Sequence, residues 1–457
     1  MKPCIFLVIC TIISASALEG GLPVQAGEAT LDPNNPLAIE EAIQISLAEN
    51  PDITMASYLV KKASADFERT RALFMPAISV YSEFSAGDAP SAYLFKTIDQ
   101  RDLPQSVDFN DPGSFSNLET GITMGWNIYR GGQDALAREM AATDIDEKKA
   151  MLASTKDQIV LSVIKLYFSV LKAENYVSIA RESKDTINEQ LRIMEVRFKG
   201  GGVLKSDILS LMARTAEAEK ILVQSENLYA TTLASLTNLM GREPVETIRL
   251  VKGCTCPVSF SKDYTTGSET ALENRPELQL AREKIKKAEM AFQMAYGEYL
   301  PRVDIQSTYY MDTDNTEFNA DDANYTIGIR AKWDIFTGFS TAAKRSAAHH
   351  QLKRALSGLK KTRLAVMRDV KTAFLNLTEA EKRYRAAETA TAQAEESFEL
   401  AKIRYMGGSV PITRYLETEL ARNQADINLA SARFDKKIAK GEIARALGIL
   451  SSIWEQE

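Results

Sequence analysis

Two long stretches of the chain repeat apolar residues every seven positions, which is the pattern of coiled-coil helices. The first lies between Gly132 and Lys199 and the second between Phe339 and Met406, and neither contains a proline. At 1.5 Å per residue, each predicts a helix about 100 Å long, which no globular domain can house. A shorter helix with its own apolar seam follows each long one, so we expect two antiparallel hairpins that turn at glycines. The seam of the first long helix consists of Leu152, Ile159, Leu166, Ala173, Ala180, Ile187 and Met194.

Four shorter segments alternate apolar and polar residues with a period of two, which indicates β-strands. The clearest runs from Asn324 to Ile335, and the others cover Leu118 to Ile128, Val303 to Tyr309 and, more weakly, Ile78 to Phe84. A run of about ten residues is the length of a tilted strand that crosses a bilayer. A soluble β-domain with one buried face would alternate in the same way.

The ends of these strands and the loops between them favour the membrane interpretation. The loops Ser85 to Asn117 and Asp312 to Ala323 are long, polar and acidic, as loops on the cell exterior are. Aromatic residues stand at the strand ends, where a membrane interface would lie. They are Trp126, Tyr129, Trp333 and Phe336.

Four strands cannot close a barrel, and an open sheet in lipid would leave unpaired backbone edges. Strands that span the membrane therefore require an oligomer. A dimer would supply eight strands and a trimer twelve, and this argument does not choose between them.

The two hairpins belong to two copies of one unit. The segment 126–132 recurs at 333–339, a shift of 207 positions, and the rest of the long helix and its glycine turn follow with the same shift. Upstream, Pro76 matches Pro301 with a shift of 225. The difference between the two shifts, 225 − 207, means that the first copy has 18 more residues than the second between this proline and the tryptophan of the 126–132 motif. Each copy is expected to run helix, strand, loop, strand, long helix, glycine turn, helix.

The duplication predicts a division of the chain into two repeats with a linker between them. The first repeat covers 37–241, with a strand pair at about 77–128 and a hairpin at about 132–240. The second covers 268–450, with a strand pair at about 302–336 and a hairpin at about 339–447. The linker is 242–267.

An export signal is expected before the first repeat, and the alternative interpretation of this segment is a buried N-terminal helix. Lys2 is followed by an apolar segment from Ile5 to Ile13, and cleavage is expected after Ala17 or Ala26, which makes 1–26 the longest signal sequence. No later stretch reaches 18 apolar residues, so no transmembrane helix is expected. Two cysteines remain in the mature chain and can either pair or stay free. They are Cys254 and Cys256.

Composition narrows the function mainly by exclusion. The net charge of −6 leaves no basic surplus for nucleic acid, which we do not expect as a partner. Two histidines and four cysteines offer little for a metal site or a cysteine nucleophile. The adjacent His349 and His350 point to different helix faces, and the glycines before Lys205 and Ser206 lack the spacing of a phosphate loop. We expect no enzyme activity and no cofactor.

The ordered set of motifs is more informative than any one of them. It consists of Asn50-Pro51, Arg275-Pro276-Glu277, the strand entries at Pro76 and Pro301, the Trp-x-x-[Tyr/Phe]-x-Gly motifs at 126 and 333, and the Arg-[Phe/Tyr]-x-Gly-Gly motifs at 197 and 404. In this order and spacing, over about residues 37–450, the chain resembles the TolC family of outer-membrane channel proteins. The resemblance implies a mainly helical protomer and a homotrimer with a twelve-stranded β-barrel in the outer membrane and a long periplasmic α-barrel.

The resemblance also implies partners and functional residues. The partners are a periplasmic adaptor and, through it, an inner-membrane pump or ABC transporter. The hairpin turns, which we call the hairpin tips, form the periplasmic end that is closed at rest and docks the adaptor. They are Gly200, Gly201, Gly202, Val203 and Leu204 in the first hairpin and Gly407, Gly408, Ser409, Val410 and Pro411 in the second.

The network that closes the channel in this family is only partly present. Its aspartate and tyrosine match Asp207 and Tyr405, whereas its arginine falls on Val410. Asp207 could equally favour the first turn of the returning helix. The acidic pair that rings the constriction falls on Arg414 and Glu417, so a double acidic ring is not retained.

We therefore expect a passive outer-membrane exit duct of a tripartite efflux or type I secretion system, in contact with outer-membrane lipid. Two alternatives are a periplasmic adaptor protein and a non-transporting coiled-coil surface protein. The duplication and the paired ten-residue strands argue against the adaptor.

Overall fold

The computed structural model of the chain describes residues 36–244, 248–253, 263–314 and 323–454. The predicted signal sequence and the two cysteines of the predicted linker, Cys254 and Cys256, lie outside these residues. The cleavage site and the pairing of the cysteines therefore stay predictions.

Two similar sets of elements follow one another along the described chain. The first set is α1 (Ile39–Glu49), α2 (Pro51–Arg69), β1 (Ala77–Gly87), α3 (Pro90–Asp99), β2 (Phe115–Arg130), α4 (Gln133–Lys199) and α5 (Lys205–Leu239). The second set is α6 (Tyr264–Asn274), α7 (Pro276–Gly297), β3 (Arg302–Thr313), β4 (Ala323–Lys332), α8 (Ser340–Met406) and α9 (Ile412–Leu447), followed by the short α10 (Leu450–Trp454).

Each long helix folds back on a shorter one to form an antiparallel hairpin. α4 and α8 have 67 residues each, and α5 and α9 return along them. The predicted seam of α4 is buried at Ile159, Ala173, Ala180, Ile187 and Met194. In α8 the equivalent row is mostly alanine, which allows close helix approach. These contacts confirm the mainly helical fold with two long hairpins.

α4 is the central helix of the chain, because it contacts α2, α5, α7 and α9. The largest apolar cluster surrounds its middle, where Tyr167 is fully buried. The Tyr167 hydroxyl donates to the backbone oxygens of Leu37 and Val251, at 2.9 and 3.1 Å. Leu37 and Leu250 also form a parallel backbone bridge, so the residues just before α1 are fixed to the segment that follows α5. Among the described residues, no helix is both long enough and apolar enough to cross a membrane.

The helical segment that precedes β1 is divided at Asn50 into α1 and α2. Asn50 has φ −65° and ψ 127°, an extended conformation that the following proline favours. Its side-chain oxygen accepts from the backbone N–H of Asp52 at 2.8 Å and caps α2. Its amide nitrogen donates to the Leu239 carbonyl at 2.7 Å, which joins the break to the end of α5.

The second half makes the same junction with a different residue. Arg275, 225 positions after Asn50, has φ −65° and ψ 121° before a proline. Its guanidinium donates to the carbonyls of Arg445 and Ala446 at 3.3 and 3.4 Å, at the end of α9. Ala446 lies 207 positions after Leu239. Equivalent contacts therefore join equivalent helix ends in the two halves.

The four strands form one antiparallel sheet in the order β1-β2-β3-β4. The register places Glu119 opposite Asp312 and Tyr309 opposite Tyr325. Because side chains alternate along each strand, the apolar rows of all four strands share one face and the polar rows share the other. We call these the apolar face and the polar face. The period-two pattern in the sequence predicted this division.

Two connections differ from the sequence prediction. The segment from Ser85 to Asn117, predicted as a loop, continues β1 to Gly87, forms α3 and enters β2 at Phe115. Pro90 stands at the first position of α3, where its fixed φ suits a helix start. Ten residues are too few for a periodic pattern to reveal a helix.

The strand predicted to continue to Ile335 ends at Lys332. Gly338 and Phe339 have φ values of 61° and 63°, in the left-handed region, and they turn the chain into α8. This turn takes residues 333–339 out of the sheet, and alternation alone could not show it.

Candidate functional site: the apolar sheet face and the hairpin tips

The apolar face of the sheet is uncovered. Its large side chains are mostly exposed, and Ile327 retains 70% of its surface. The exposed apolar and aromatic side chains of this face are Ile78, Val80, Phe84, Ile122, Trp126, Tyr309, Tyr325, Ile327 and Ile329. A contiguous apolar surface of this size on a folded chain marks a contact with lipid or with another protein.

Aromatic side chains mark the end of the sheet that adjoins the helices. Trp126 Nε1 donates to the Phe74 carbonyl at 3.2 Å, and Trp333 Nε1 donates to the Tyr299 carbonyl at 2.9 Å. Both acceptors lie two residues before the proline that precedes a strand, so the two halves again match. A ring with an apolar body and a bonded N–H suits a membrane interface.

The other two predicted interface residues are exposed as well. Tyr129 lies in β2, one residue before its end, and Phe336 lies beyond β4. Phe336 packs edge-on against Phe339, with ring centroids 5.5 Å apart. The role of all four aromatic residues at a membrane interface stays a prediction.

The two hairpin tips have the same backbone geometry. In the first, the N–H of Gly202 donates to the Arg197 carbonyl, and in the second the N–H of Ser409 donates to the Arg404 carbonyl, both at 2.9 Å. The middle residues Gly201 and Gly408 have φ values of 76° and 73°. Glycine adopts such values without strain, so these turns need it.

Side chains at the tips are mostly exposed. Leu204 retains 69% of its surface, and Pro411 begins the returning helix of the second hairpin. Val203 packs against an apolar cluster that both hairpins share, centred on Met194 and Tyr415. The tips therefore present short exposed turns on a fixed base.

The predicted gate residues fall into two groups. Tyr405 stacks on the buried Tyr415, with ring centroids 5.3 Å apart, and its hydroxyl donates to the sulfur of Met194 at 2.9 Å. Burial, reinforced by the charge of Asp207, raises the pKa of Tyr405, so this hydroxyl keeps its proton at neutral pH. Asp207 and Tyr405 thus lie near one another, as the resemblance implies.

Arg414 and Glu417 form the second group, away from that cluster. They pair with each other at 3.4 Å across one helical turn, and both side chains are more than half exposed. Such a surface pair contributes at most about 1 kcal/mol to stability.

A buried polar network that the sequence did not suggest joins the two hairpins near the tips. Glu419 of α9 is 1% exposed and accepts from Arg214 of α5 at 2.9 Å and from Ser183 of α4 at 2.7 Å. Asn423 also donates to Glu419. At 1.5 Å per residue, Glu419 lies about 12 Å along α9 from its tip.

Arg422 adds a second connection between the hairpins, one turn further from the tip. It donates to Glu182 of α4 at 2.9 Å and to Glu395 of α8. Nearby, Tyr415 is fully buried, and burial, together with the charge of Glu419, raises its pKa. Among the described residues, no group of three or more His, Cys, Asp or Glu side chains could hold a metal ion.

An exposed apolar sheet attached to two hairpins of about 100 Å is the form of a membrane duct with a long helical extension. The outer membrane efflux protein family matches residues 42–242 and 267–449, which is most of the chain. The chain belongs to the outer membrane efflux protein family. Its members are channel proteins and not enzymes.

Individual relatives are distant but cover most of the chain. Protein CyaE of Bordetella pertussis is 22% identical over 354 residues, which is 77% of this chain and 71% of CyaE. Outer membrane protein TolC of Vibrio cholerae is 24% identical over 353 residues, which is 73% of this chain and 77% of TolC. The solved outer-membrane channel OprN superposes with a TM-score of 0.77 at 17% identity, over 90% of this chain and 89% of OprN.

The protein is therefore an outer-membrane exit duct of the kind that serves efflux or type I secretion, with a large helical part in the periplasm. Family membership confirms the predicted resemblance and function. It excludes both alternatives, the periplasmic adaptor and the non-transporting surface protein.

The two faces of β4 provide a direct test of which face meets lipid. Replacing Ile327 with arginine should cost about 2–4 kcal/mol if the side chain lies near the bilayer centre. The matched control is Thr326→Arg, on the neighbouring residue of the polar face, which should assemble normally. The measurement is the amount of assembled protein in purified outer membranes. Equal loss from both variants would contradict the assignment of the faces.

Proposed function

We propose that three copies of this chain close into one twelve-stranded barrel that continues into a periplasmic helical tube. The sheet edges carry this proposal. β1 and β4 are the outer strands of the sheet, so one edge of each has no backbone partner in the part of the protomer that the structure describes. Unpaired N–H and C=O groups are not tolerated in hydrocarbon, whereas pairing β4 of one copy with β1 of the next satisfies every edge.

The polar face supports a trimer over a dimer. α3 lies against this face, held by contacts from Lys96 and Gln100. An eight-stranded barrel has an interior just wide enough for its own side chains and could not also hold two helices. Twelve strands leave the room that α3 needs.

We expect the purified protein to migrate as a trimer in mild detergent and to conduct ions in planar lipid bilayers. If the strand edges close between copies, the protein must be oligomeric, and the closed barrel must enclose a pore that conducts ions. Chemical cross-linking gives the copy number, and bilayer recording gives the conductance. A monomeric protein that conducts no current would overturn the proposal.

The inner end of the tube is proposed to dock a periplasmic adaptor through the hairpin tips. The tips support this because they are exposed, share one geometry and carry uncovered apolar side chains such as Leu204. The adaptor would connect the duct to an inner-membrane pump or ABC transporter that supplies the energy. The duct itself would act passively.

Cysteine cross-linking tests the docking surface. Ser409→Cys at a tip should form a cross-link to an adaptor co-expressed from the same genome, because Ser409 is exposed at the end of the tube. The control is Thr265→Cys, an exposed position on α6 far from the tips, which should not react. Cross-links confined to α6 would move the docking site to the middle of the tube.

The resting closure at the tips is proposed to depend on the Glu419 network, in place of the arginine that Val410 replaces. Glu419 joins α9 to both helices of the first hairpin, so the two hairpins cannot separate near the tips while its bonds persist. Asp207 and Tyr405 lie closer to the tips, beside the same apolar cluster. Arg414 and Glu417 are proposed to face the passage.

Removing the charge of Glu419 should loosen the closed state. Glu419→Gln leaves Arg214 with a largely buried and unpaired charge, a change that costs about 3–5 kcal/mol when a buried pair is broken. We expect a higher mean single-channel conductance in planar bilayers. Glu189→Gln breaks a surface pair with Arg192 on α4 and should leave conductance unchanged.

The exchange variant Arg214→Glu with Glu419→Arg checks that the effect comes from the ion pair. It should restore the low conductance, because it keeps one charge of each sign at the same place. An unchanged conductance in Glu419→Gln would show that the network does not hold the gate.

A further inference from the structure

α3 lies on the polar face, at the end of the sheet farthest from the hairpins. Lys96 Nζ is 2.5 Å from Glu119 Oε2 on β2 and 3.2 Å from Asp312 Oδ1 on β3. The Gln100 amide donates to Asn117 Oδ1 on β2 at 2.7 Å. These contacts fix the helix to two neighbouring strands.

The contact reaches β4 as well. The Asn324 amide of β4 donates to the carbonyl of Asp99, the last residue of α3, at 3.1 Å. Arg101, just after the helix, donates to the Ala323 carbonyl at 3.1 Å. α3 therefore spans the sheet from β2 to β4 and is not a free loop.

The burial pattern of the sheet is the reverse of that in a soluble protein. Under α3, the polar residues Asn117 and Asp312 are buried, whereas Ile327 and Ile329 on the other face are exposed. In the proposed barrel the apolar face meets lipid, so the polar face lines the lumen. α3 then lies inside the lumen, at the outer mouth.

Lys96 is the cation that balances the carboxylates beneath α3. Glu119 and Asp312 are directly opposite in the register of β2 and β3, on one face. Like charges in that position repel each other. Asn117 donates to Asp312 at 2.5 Å and Tyr81 donates to Glu119 at 2.6 Å, and Lys96 supplies the positive charge between the two. Withdrawal of α3 would uncover this pair to water or to another cation.

The outward side of α3 is apolar. Phe95 is 64% exposed and Ile98 is 45% exposed. At about 100° per residue, Ile98 lies nearly opposite Lys96 on α3 and Phe95 lies about a quarter turn from Lys96, on the side nearer to Ile98. Both side chains are exposed and not covered by the sheet. In the proposed trimer this side faces the barrel axis, where the two other copies of α3 lie.

The dimensions of a twelve-stranded barrel leave little room beside three such helices. Strands spaced 4.8 Å apart and tilted by 40° give a backbone diameter of about 24 Å. A helix with its side chains is about 10 Å thick. Three helices on the inner wall would therefore occupy nearly the whole radius.

We propose that α3 is an outer gate, an in-lumen helix that closes the external mouth of the duct and is held to the wall by Lys96. This inference rests on the proposed trimeric barrel. It adds a second closure, at the opposite end of the molecule from the hairpin tips. Passage of cargo then requires α3 to leave the polar face, and the Lys96 contact is what must break.

Access of a thiol reagent from outside the cell tests this gate without depending on the tips. Thr308→Cys places a thiol on the polar face of β3, about 13 Å deeper than Asp312. Cys254 and Cys256 are first replaced by serine. Intact cells are treated with a maleimide on a polymer too large for general porins, and the labelling rate is measured. In the otherwise unchanged protein the rate should be low.

Lys96→Met should raise the labelling rate about tenfold, because losing the ion pairs shifts the population toward the open mouth. The matched control is Lys332→Met, which removes another lysine from the polar face without touching α3 and should leave the rate unchanged. A second variant replaces residues 90–102 with a flexible Gly-Ser segment of equal length and should give the same increase. If Lys96→Met fails to assemble, this second variant tests whether α3 limits the labelling rate.

Two outcomes would overturn the gate in distinguishable ways. If Thr308→Cys reacts equally fast with and without α3, the duct is still supported but α3 does not close it.

Ser307→Cys tests the assignment of the faces, because Ser307 lies on the apolar face and should stay unlabelled in every variant. If it reacts while Thr308→Cys does not, the faces are reversed, and the proposed barrel fails together with the gate.

Discussion

The unpaired edges of the sheet are the constraint on which the rest of this structure depends. One protomer carries a four-stranded sheet whose exposed apolar face suits lipid. The outer edges of β1 and β4 have no backbone partner among the described residues, and unpaired backbone groups are not stable in lipid. Neighbouring copies must supply the missing strands. The helical hairpins then have to surround the same axis as the barrel, because two residues join β2 to α4 and seven join β4 to α8. The duct is therefore a consequence of pairing the open edges of the sheet with strands of neighbouring copies.

Local periodicity explains why so much of this fold could be predicted. Heptad spacing identified both hairpins, period-two spacing identified the sheet and its faces, and glycines marked the tips. What the sequence could not show depends on contacts between distant residues. Lys96 contacts Glu119 and Asp312, which lie 23 and 216 positions away. Glu419 contacts Arg214, 205 positions away. No local pattern reports such pairs, so α3 and the buried network were missed.

The two halves have kept one geometry while their side chains diverged. At the junction before α2 a neutral amide of Asn50 reaches the end of α5, and at the junction before α7 a guanidinium of Arg275 reaches the end of α9. Arg275 also pairs with Glu277 at 2.8 Å. The returning helices differ in the same way. The buried carboxylate of Glu419 in α9 accepts hydrogen bonds from the first hairpin, whereas the equivalent residue of α5, 207 positions earlier, is the exposed Met212. The two hairpins are thus similar in shape but not in the contacts that can hold them together.

The 18 additional residues of the first repeat acquire a meaning from the width of the bore. They lie between the strands of one repeat only, where α3 is found, and the corresponding segment between β3 and β4 spans just residues 314–322. In the proposed trimer, two identical repeats in each protomer would place six helices inside the barrel, which a backbone diameter of about 24 Å cannot hold. The difference in length between the two repeats therefore follows from the limited space inside the proposed barrel. In the proposed barrel there is room for one inward helix from each protomer, so only one of the two repeats can carry the additional segment.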